Sequence, residues 1–242
     1  MPKYFHHIEI ELTSVCDMRC KYCDRFITHA PDKNMSIKQI EMFITESMEL
    51  NYPWERIHVL GGEPTLHPNF KEIMALLITY KNVTGLKLLR VITNNHGKLL
   101  DYNGWLKDNG VDVYSDYKQE DVVPYFFDNM LQCPADKSPE PLPHCSICGV
   151  SGCGVGMTRY GYFLCGAGGA IARLCGYDIG AKTLKDVTWE NMIGQAGRLC
   201  NKCGHKDKIL VSEDDSTGRF WRNQIKQYKN GNIPQMTVLY EE

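Results

Sequence analysis

The chain is 242 residues long, carries a formal net charge of −2 and is 43% hydrophobic. This length suits one large domain, or a core with a small appendage, and the composition is typical of a globular protein. Its basic residues form no stripe, which argues against a nucleic-acid partner. The sequence shows neither an apolar leader nor a run of 18 apolar residues, so we expect a cytoplasmic location and no membrane partner.

Strand and helix signals alternate along the first half of the chain. Ser36 and Gln39 match a capping box, and Ile37, Ile40 and Ile44 follow at helical spacing, which predicts a helix of about four turns. The predicted strands cover residues 8–12, 57–60, 86–93 and 111–114, and a second predicted helix covers residues 70–80. This alternation favours an α/β fold with a parallel sheet and crossover helices.

Three closely spaced cysteines, Cys16, Cys20 and Cys23, follow the first predicted strand as CxxxCxxC. In a reducing compartment such cysteines are better explained as metal ligands than as disulfides. Three thiolates leave a four-iron cluster one ligand short, so that one iron is open to another molecule. A zinc site is the alternative, although zinc sites usually pair CxxC knuckles and the sequence offers no matching local fourth ligand.

A glycine-rich turn, Gly61-Gly62-Glu63-Pro64, follows the second predicted strand. The two glycines allow the backbone to pass close to a ligand, and Pro64 makes the exit of the turn rigid. The carboxylate of Glu63 can accept a hydrogen bond from an ammonium group. Because active residues of parallel sheets gather at the carboxyl ends of strands, we expect this turn at the same edge as the cysteines.

The two motifs, in this order and about 40 residues apart, resemble the radical S-adenosylmethionine (radical SAM) superfamily. The resemblance implies a partial, abbreviated parallel β/α barrel and a [4Fe–4S] cluster held by Cys16, Cys20 and Cys23. It implies that SAM binds the unique iron and is cleaved reductively to a 5'-deoxyadenosyl radical, which abstracts a hydrogen atom from a substrate. The expected protein partner is an electron donor of the flavodoxin or ferredoxin type.

The resemblance also implies which residues bind the cofactor. Tyr22 stands where the superfamily has an aromatic residue before the last cysteine, and its backbone is expected to lie against the adenine. In the superfamily, polar residues after the third and fourth strands contact the ribose and the carboxylate. The candidates are therefore Tyr22, Gly61, Gly62, Glu63, Pro64, Asn94, Asn95, Ser115 and Asp116. For the last four, a turn-forming role is the alternative.

The other eight cysteines fall between Cys133 and Cys203, and this region resembles the SPASM and twitch extensions of radical SAM enzymes. The resemblance implies at least one auxiliary [4Fe–4S] cluster in a small Cys-rich C-terminal domain, with a hairpin closed by residues 161–165. The preferred ligands are Cys153, Cys165, Cys200 and Cys203. Cys148 is the runner-up to Cys153, and Cys145 is a third possibility for that position. A zinc ribbon is the alternative, because CxxC occurs at 145–148 and at 200–203.

The sequence thus predicts three parts. A radical SAM partial-barrel core covers residues 1–132, an auxiliary-cluster domain covers 133–210, and a C-terminal helix and tail at 211–242 dock on the core. The proline-rich residues 134–143 form the predicted linker between the first two parts.

The predicted reaction is oxidation (dehydrogenation) or epimerisation of a small polar, natural-product-type substrate. An auxiliary cluster could accept an electron from the substrate radical, whereas a thiol on the opposite side could return a hydrogen atom to it. Cys175 and Cys133 are the candidate hydrogen donors. Two alternatives stay open: a maturase that modifies ribosomally made peptides, and a non-catalytic zinc or iron–sulfur module that senses redox state.

Overall fold

A mostly parallel sheet forms the centre of the structure, a computed structural model that describes residues 4–18, 23, 25–27, 33–95, 99–115, 154–203 and 219–241. Its strands are β1 (His7–Thr13), β2 (Arg56–Gly61), β3 (Leu88–Thr93), β4 (Asp112–Ser115), β5 (Val155–Thr158) and β6 (Gly161–Phe163). Their order is β4-β3-β2-β1-β5-β6. All neighbours are parallel except β5 and β6. The predicted α/β class is confirmed, and the sheet is consistent with a partial barrel.

Six helices accompany the sheet within these residues. They are α1 (Ile37–Glu49), α2 (Phe70–Thr84), α3 (Leu99–Asp108), α4 (Gly166–Cys175), α5 (Trp189–Leu199) and α6 (Arg219–Lys229). Helix α2 continues past the predicted end at residue 80 and stops at Gly85, whose φ of 71° is left-handed and suits a glycine C-cap. No helix among the described residues has the length and apolar character that crossing a membrane requires.

The predicted capping box of α1 forms only in part. Ser36 accepts a hydrogen bond from the Gln39 backbone N–H at 3.2 Å, as the pattern indicates. The Gln39 side chain, however, donates to the Thr158 carbonyl at 2.7 Å instead of returning to the cap. This carbonyl lies at the end of β5, so the glutamine joins α1 to the sheet.

Both faces of the sheet are covered. On one face, Ile8, Ile10 and Leu12 of β1 belong to the main apolar core. This core also contains buried residues of α1 and α2: Ile40, Phe43, Phe70, Ile73, Met74 and Leu77. The alternate residues of β1 point to the second face. There, α4, α6 and β6 contribute to a smaller apolar cluster that includes Ile171, Trp221 and Phe163.

The described part of the predicted auxiliary-cluster domain extends the central sheet. Strand β5 pairs in parallel with β1, with Ile8 opposite Val155 and Ile10 opposite Met157. The predicted hairpin forms between β5 and β6, but β6 ends at Phe163, because Cys165 already caps α4. The predicted boundaries at 132/133 and 210/211 and the linker at 134–143 lie outside the described residues, so the division stays a prediction.

Helix α6 packs on α4 and on the chain just after Cys23. Trp221 is fully buried, and its ring centroid lies 4.8 Å from that of Phe26. The Gln224 side chain donates to the Leu174 carbonyl at 2.8 Å. The tail helix therefore covers the second face of the sheet near the cysteine loop.

Candidate active site

The carboxyl ends of the parallel strands bring the predicted motifs to one edge of the sheet. The cysteine loop leaves β1, the GGEP turn leaves β2, and the Asn94-Asn95 pair leaves β3. Asn94 donates through Nδ2 to Asp17 Oδ1 at 2.6 Å, which links the end of β3 to the cysteine loop. The structure thus joins segments that lie 77 residues apart in the sequence.

The glycines of the GGEP turn lie directly against the backbone of the cysteine loop. Gly62 N–H donates to the Thr13 carbonyl and Glu63 N–H donates to the Val15 carbonyl, both at 2.8 Å. A Cβ on Gly62 would lie 2.1 Å from the Val15 oxygen and 3.0 Å from Cys16 Cβ. The sequence predicted close approach at these glycines, and in the structure the approaching group is the cysteine loop itself.

Glu63 is completely buried, and both of its carboxylate oxygens accept hydrogen bonds from the protein. Oε1 accepts from the Thr65 N–H and hydroxyl at 3.1 and 2.6 Å. Oε2 accepts from the Thr93 hydroxyl at 2.9 Å and from Asn94 N–H at 2.8 Å. Desolvation raises the pKa of Glu63, although these hydrogen bonds oppose the shift. Glu63 therefore fixes the end of β3 to the GGEP turn, and its predicted contact with an ammonium group stays a prediction.

Two of the three loop cysteines are described. Cys16 and Cys23 are half-buried and form no disulfide. Cys16 Sγ accepts from Met18 N–H at 3.4 Å, and the Cys23 carbonyl accepts from Phe26 N–H at 3.0 Å. Cys20 and Tyr22 lie outside the described residues. Partly exposed thiols on an anchored loop suit a soft metal centre.

The remaining polar candidates, Asn95, Ser115 and Asp116, differ in burial and in whether the structure describes them. Asn95 is exposed, with a left-handed φ of 61°, and its N–H donates to the Thr93 hydroxyl at 3.1 Å. Ser115 is the last residue of β4, pairs with Thr93 in the sheet and is half-buried. Asp116 lies outside the described residues. Roles for these residues in cofactor binding stay predictions.

Two buried arginines, which the sequence analysis did not single out, hold the far end of the cysteine loop. Arg25 forms an ion pair with Glu9 at 2.6 Å, and Arg173 of α4 forms one with Glu11. Arg173 Nη2 also donates to the Arg25 carbonyl at 2.7 Å. The alternating acids of β1 were the available signal, because acids inside an otherwise apolar strand need buried partners.

Comparison with known proteins decides the family. The model of the Radical SAM superfamily matches residues 10–119, which include the cysteine loop, the GGEP turn and the ends of β3 and β4. Residues 10–119 are a radical SAM superfamily domain. The predicted recognition is thereby confirmed for the core of the chain, which belongs to an enzyme superfamily.

Curated relatives of this chain include proteins named GTP 3',8-cyclase. The chain is 23% identical over 103 residues to the protein from Shewanella denitrificans, a match that covers 42% of this chain and 29% of the relative. It is 27% identical over 108 residues to that from Haemophilus influenzae, covering 43% and 31%. The chain thus spans about three tenths of the length of these relatives.

A solved structure shares the fold over most of its length. The crystal structure of selenomethionine BtrN in an open conformation superposes with a TM-score of 0.51 at 17% identity. The superposition covers 88% of this chain and 94% of that one. At this identity the likeness concerns the fold alone.

The radical SAM family implies SAM and a [4Fe–4S] cluster as cofactors. The described residues fit these groups on two counts. Cys16 and Cys23 offer thiol ligands without a disulfide, and the GGEP backbone lies against the loop that carries them. In the radical SAM domain, Cys16, Cys20 and Cys23 would hold the cluster.

The auxiliary cluster stays a prediction. Cys165 is buried at the start of α4, where its Sγ accepts from Gly168 N–H at 3.3 Å. Cys200 and Cys203 follow α5 and are half-buried. Among the described residues, no three His, Cys, Asp or Glu side chains form a group that could hold a metal. The other predicted ligands, Cys148 and Cys153, and the alternative Cys145 lie outside those residues.

The two candidate hydrogen donors differ in what the structure describes. Cys175 ends α4 and is buried, and burial raises the pKa of its thiol to about 11. The thiol is therefore neutral at physiological pH, in the form that carries a hydrogen atom. Cys133 lies outside the described residues.

Proposed function

We propose that this protein uses its radical SAM domain to abstract a hydrogen atom from a substrate C–H bond. Cys16, Cys20 and Cys23 would hold a [4Fe–4S] cluster, and the cluster would supply the electron for reductive cleavage of SAM. The observation that carries this proposal is the direct packing of the GGEP backbone on the cysteine loop, with Gly62 against Val15 and Cys16. That contact places the two motifs side by side.

The chain's own residues position this unit. Glu63 ties the GGEP turn to the end of β3, and Asn94 ties that end to Asp17 of the cysteine loop. Arg173 holds the other end of the loop through the Arg25 carbonyl. Radical chemistry requires such fixed placement, because the 5' carbon of the deoxyadenosyl radical must contact only the substrate hydrogen that is to be abstracted.

We propose oxidation or epimerisation of a small polar substrate as the overall reaction. After hydrogen abstraction, oxidation requires loss of one more electron and one proton, and an auxiliary cluster would accept that electron. Among its described residues the structure does not group Cys165, Cys200 and Cys203 as one metal site, so their role as ligands of that cluster stays a prediction. Epimerisation instead requires a hydrogen atom from a thiol, and Cys175 is a neutral buried thiol. In either case a flavodoxin or ferredoxin would supply the electron for SAM cleavage.

Cyclisation of a purine nucleotide is the second candidate function. It is favoured by the curated relatives, which are named as GTP 3',8-cyclases and match 42% and 43% of this chain.

The test is SAM cleavage by anaerobically reconstituted protein with dithionite as the reductant. We expect 5'-deoxyadenosine, quantified by chromatography, from the wild-type protein and none from Cys16→Ala. Met48→Ala, at an exposed site on α1, is the matched control and should cleave SAM like the wild type. If the wild-type protein forms no 5'-deoxyadenosine although it contains a cluster, the proposed function is wrong.

A further inference from the structure

A cavity of about 530 Å³ lies beside the base of the cysteine loop. Its lining includes Lys33, whose carbonyl accepts from Ser14 N–H at 2.8 Å just after β1. Arg159, which follows the last residue of β5, and Arg173 of α4 also line it. The cavity therefore opens at the same edge of the sheet as the radical SAM motifs, and its volume suits a small molecule.

The cavity is cationic in its described lining. Lys33, Arg159 and Arg173 line it with one acid, Glu241. Because Arg173 is already paired with Glu11, the uncompensated charge comes from Lys33 and Arg159. Glu241 lies 3.6 Å from Arg159 Nη2, and its side chain is 70% exposed, which makes this a weak surface pair. The Arg159 side chain is only 17% exposed. One half-buried cation thus lines the cavity with little compensation from the protein.

Both arginines also have an unsatisfied donor. The Nε atoms of Arg159 and Arg173 are buried and have no hydrogen-bond partner. Arg173 uses its other two nitrogens on Glu11 and on the Arg25 carbonyl. A buried N–H without an acceptor costs about 1–3 kcal/mol. These two donors belong to side chains that line one cavity, so both guanidinium groups are short of acceptors within the protein.

We propose that this cavity binds an oxyanion group of the substrate, a phosphate or a carboxylate. Arg159 supplies charge and a planar fork that matches such a group, and Lys33 adds positive charge. Arg173 forms part of the cavity wall, where its Nη atoms already bind Glu11 and the Arg25 carbonyl. Tyr160 and Tyr228 line the same cavity and offer aromatic surface for the rest of the molecule. The inference rests on the proposed function, because it names the chemical class of that enzyme's substrate.

The test is isothermal titration calorimetry on the reconstituted full chain at low ionic strength, where charge interactions are least screened. The probes are inorganic pyrophosphate, malonate and, as a neutral comparator, myo-inositol. We expect at least one anion to bind and myo-inositol not to bind. Tighter binding of pyrophosphate assigns a phosphorylated substrate, and tighter binding of malonate assigns a carboxylate.

Three variants test the residues. Arg159→Gln should weaken binding of the preferred anion by about 10-fold or more, since a charge-assisted hydrogen bond is lost. Lys87→Gln, at an exposed lysine paired with Glu55, is the matched control and should bind as the wild type does. Glu241→Gln removes the opposing acid at an exposed position and should tighten binding about 2- to 5-fold.

Two outcomes would overturn the proposal: no anion binding by the wild-type protein, or equal binding by Arg159→Gln and Lys87→Gln. If Arg159→Gln fails to fold, the Glu241→Gln variant tests the site instead. Anion binding by Glu241→Gln that is unchanged or weaker than in the wild type would also refute the site. Repeating the titration with saturating SAM should leave anion binding in place, whereas competition would refute assignment to the substrate. SAM cleavage is measured in a separate assay. Anion binding without SAM cleavage would refute the proposed radical SAM reaction but not the anion site. SAM cleavage without anion binding would refute the anion site but not the reaction.

Discussion

Single residues of the GGEP turn fix the backbone of the cysteine loop. Gly62 has no room for a side chain because the Val15 carbonyl and Cys16 Cβ occupy the space. Both carboxylate oxygens of Glu63 accept hydrogen bonds from the protein, with Thr65, Thr93 and Asn94 as the donors. The sequence predicted that glycine is required here, but it could not reveal the neighbour, because that contact joins segments separated by the whole of α1.

We predict that Gly62→Ala lowers the free energy of unfolding and abolishes SAM cleavage. The added methyl group would collide with backbone, which cannot move away as a side-chain end could. The loss should reach about 2 kcal/mol or more, in the range of steric overpacking in a core. Denaturant unfolding and 5'-deoxyadenosine formation are the measurements.

Gly104→Ala is the control for that substitution. Nothing lies within 4 Å of its added Cβ, and the position is inside α3, so stability should stay constant or rise by up to about 1 kcal/mol. If Gly62→Ala behaves like Gly104→Ala, the close contact with the cysteine loop is not important.

Elements are joined through polar contacts that the sequence pattern did not reveal. Gln39 leaves the predicted capping box to bind the end of β5, and Arg173 joins α4 to β1 and to the chain after Cys23. The four strands of the first half were predictable because each is a short apolar run before a turn. The position of β5 beside β1 was not, because parallel pairing between distant segments leaves no local pattern.

We predict that Arg173→Met lowers the free energy of unfolding by about 3–5 kcal/mol, since it leaves the Glu11 carboxylate buried without its partner. The double variant Glu11→Leu/Arg173→Met should recover much of this loss, because it removes both buried charges. Denaturant titration of the two single variants and the double variant gives the coupling. Strict additivity would contradict a direct ion pair between these side chains.

At the scale of the whole molecule, the described residues are built around one sheet that is covered on both faces. The sequence predicts a Cys-rich domain at residues 133–210, and this division stays a prediction. The strands described in this range extend the sheet, and α4 packs on it. Helix α4 was missed because its sequence, GAGGAIARLC, is rich in glycine and lacks an ordinary helix pattern. The spacing of the cysteines predicted metal binding. Arg159 and Arg173, which line the cavity proposed to bind an oxyanion, belong to no sequence motif.

A buried histidine pair makes the stability of this assembly depend on pH. His7 Nε2 and His58 Nδ1 lie 3.0 Å apart, and burial, with the neighbouring His7, lowers the pKa of His58 to about 3. In the unfolded chain His58 therefore binds a proton near pH 6.5, whereas in the folded chain it stays neutral down to about pH 3. The free energy of unfolding should fall as the pH drops from about 6.5 toward 3, by up to about 2 kcal/mol at pH 5.

Denaturant unfolding at pH 7 and pH 5 tests this dependence. His58→Gln should lose less stability between the two values than the wild type does. His6→Gln, at an exposed histidine, is the control and should follow the wild type. An equal loss in His58→Gln and His6→Gln would show that His58 is not the titrating group.

The central claim is that the loop of Cys16, Cys20 and Cys23 holds a [4Fe–4S] cluster with an iron open to SAM, beside the GGEP turn. Low-temperature electron paramagnetic resonance of the dithionite-reduced protein, with and without SAM, tests it most directly. We expect a reduced-cluster signal whose g-values shift when SAM is added, and the loss of this SAM-dependent shift in Cys16→Ala. A wild-type spectrum that SAM leaves unchanged, or a shift that survives in Cys16→Ala, would contradict the account.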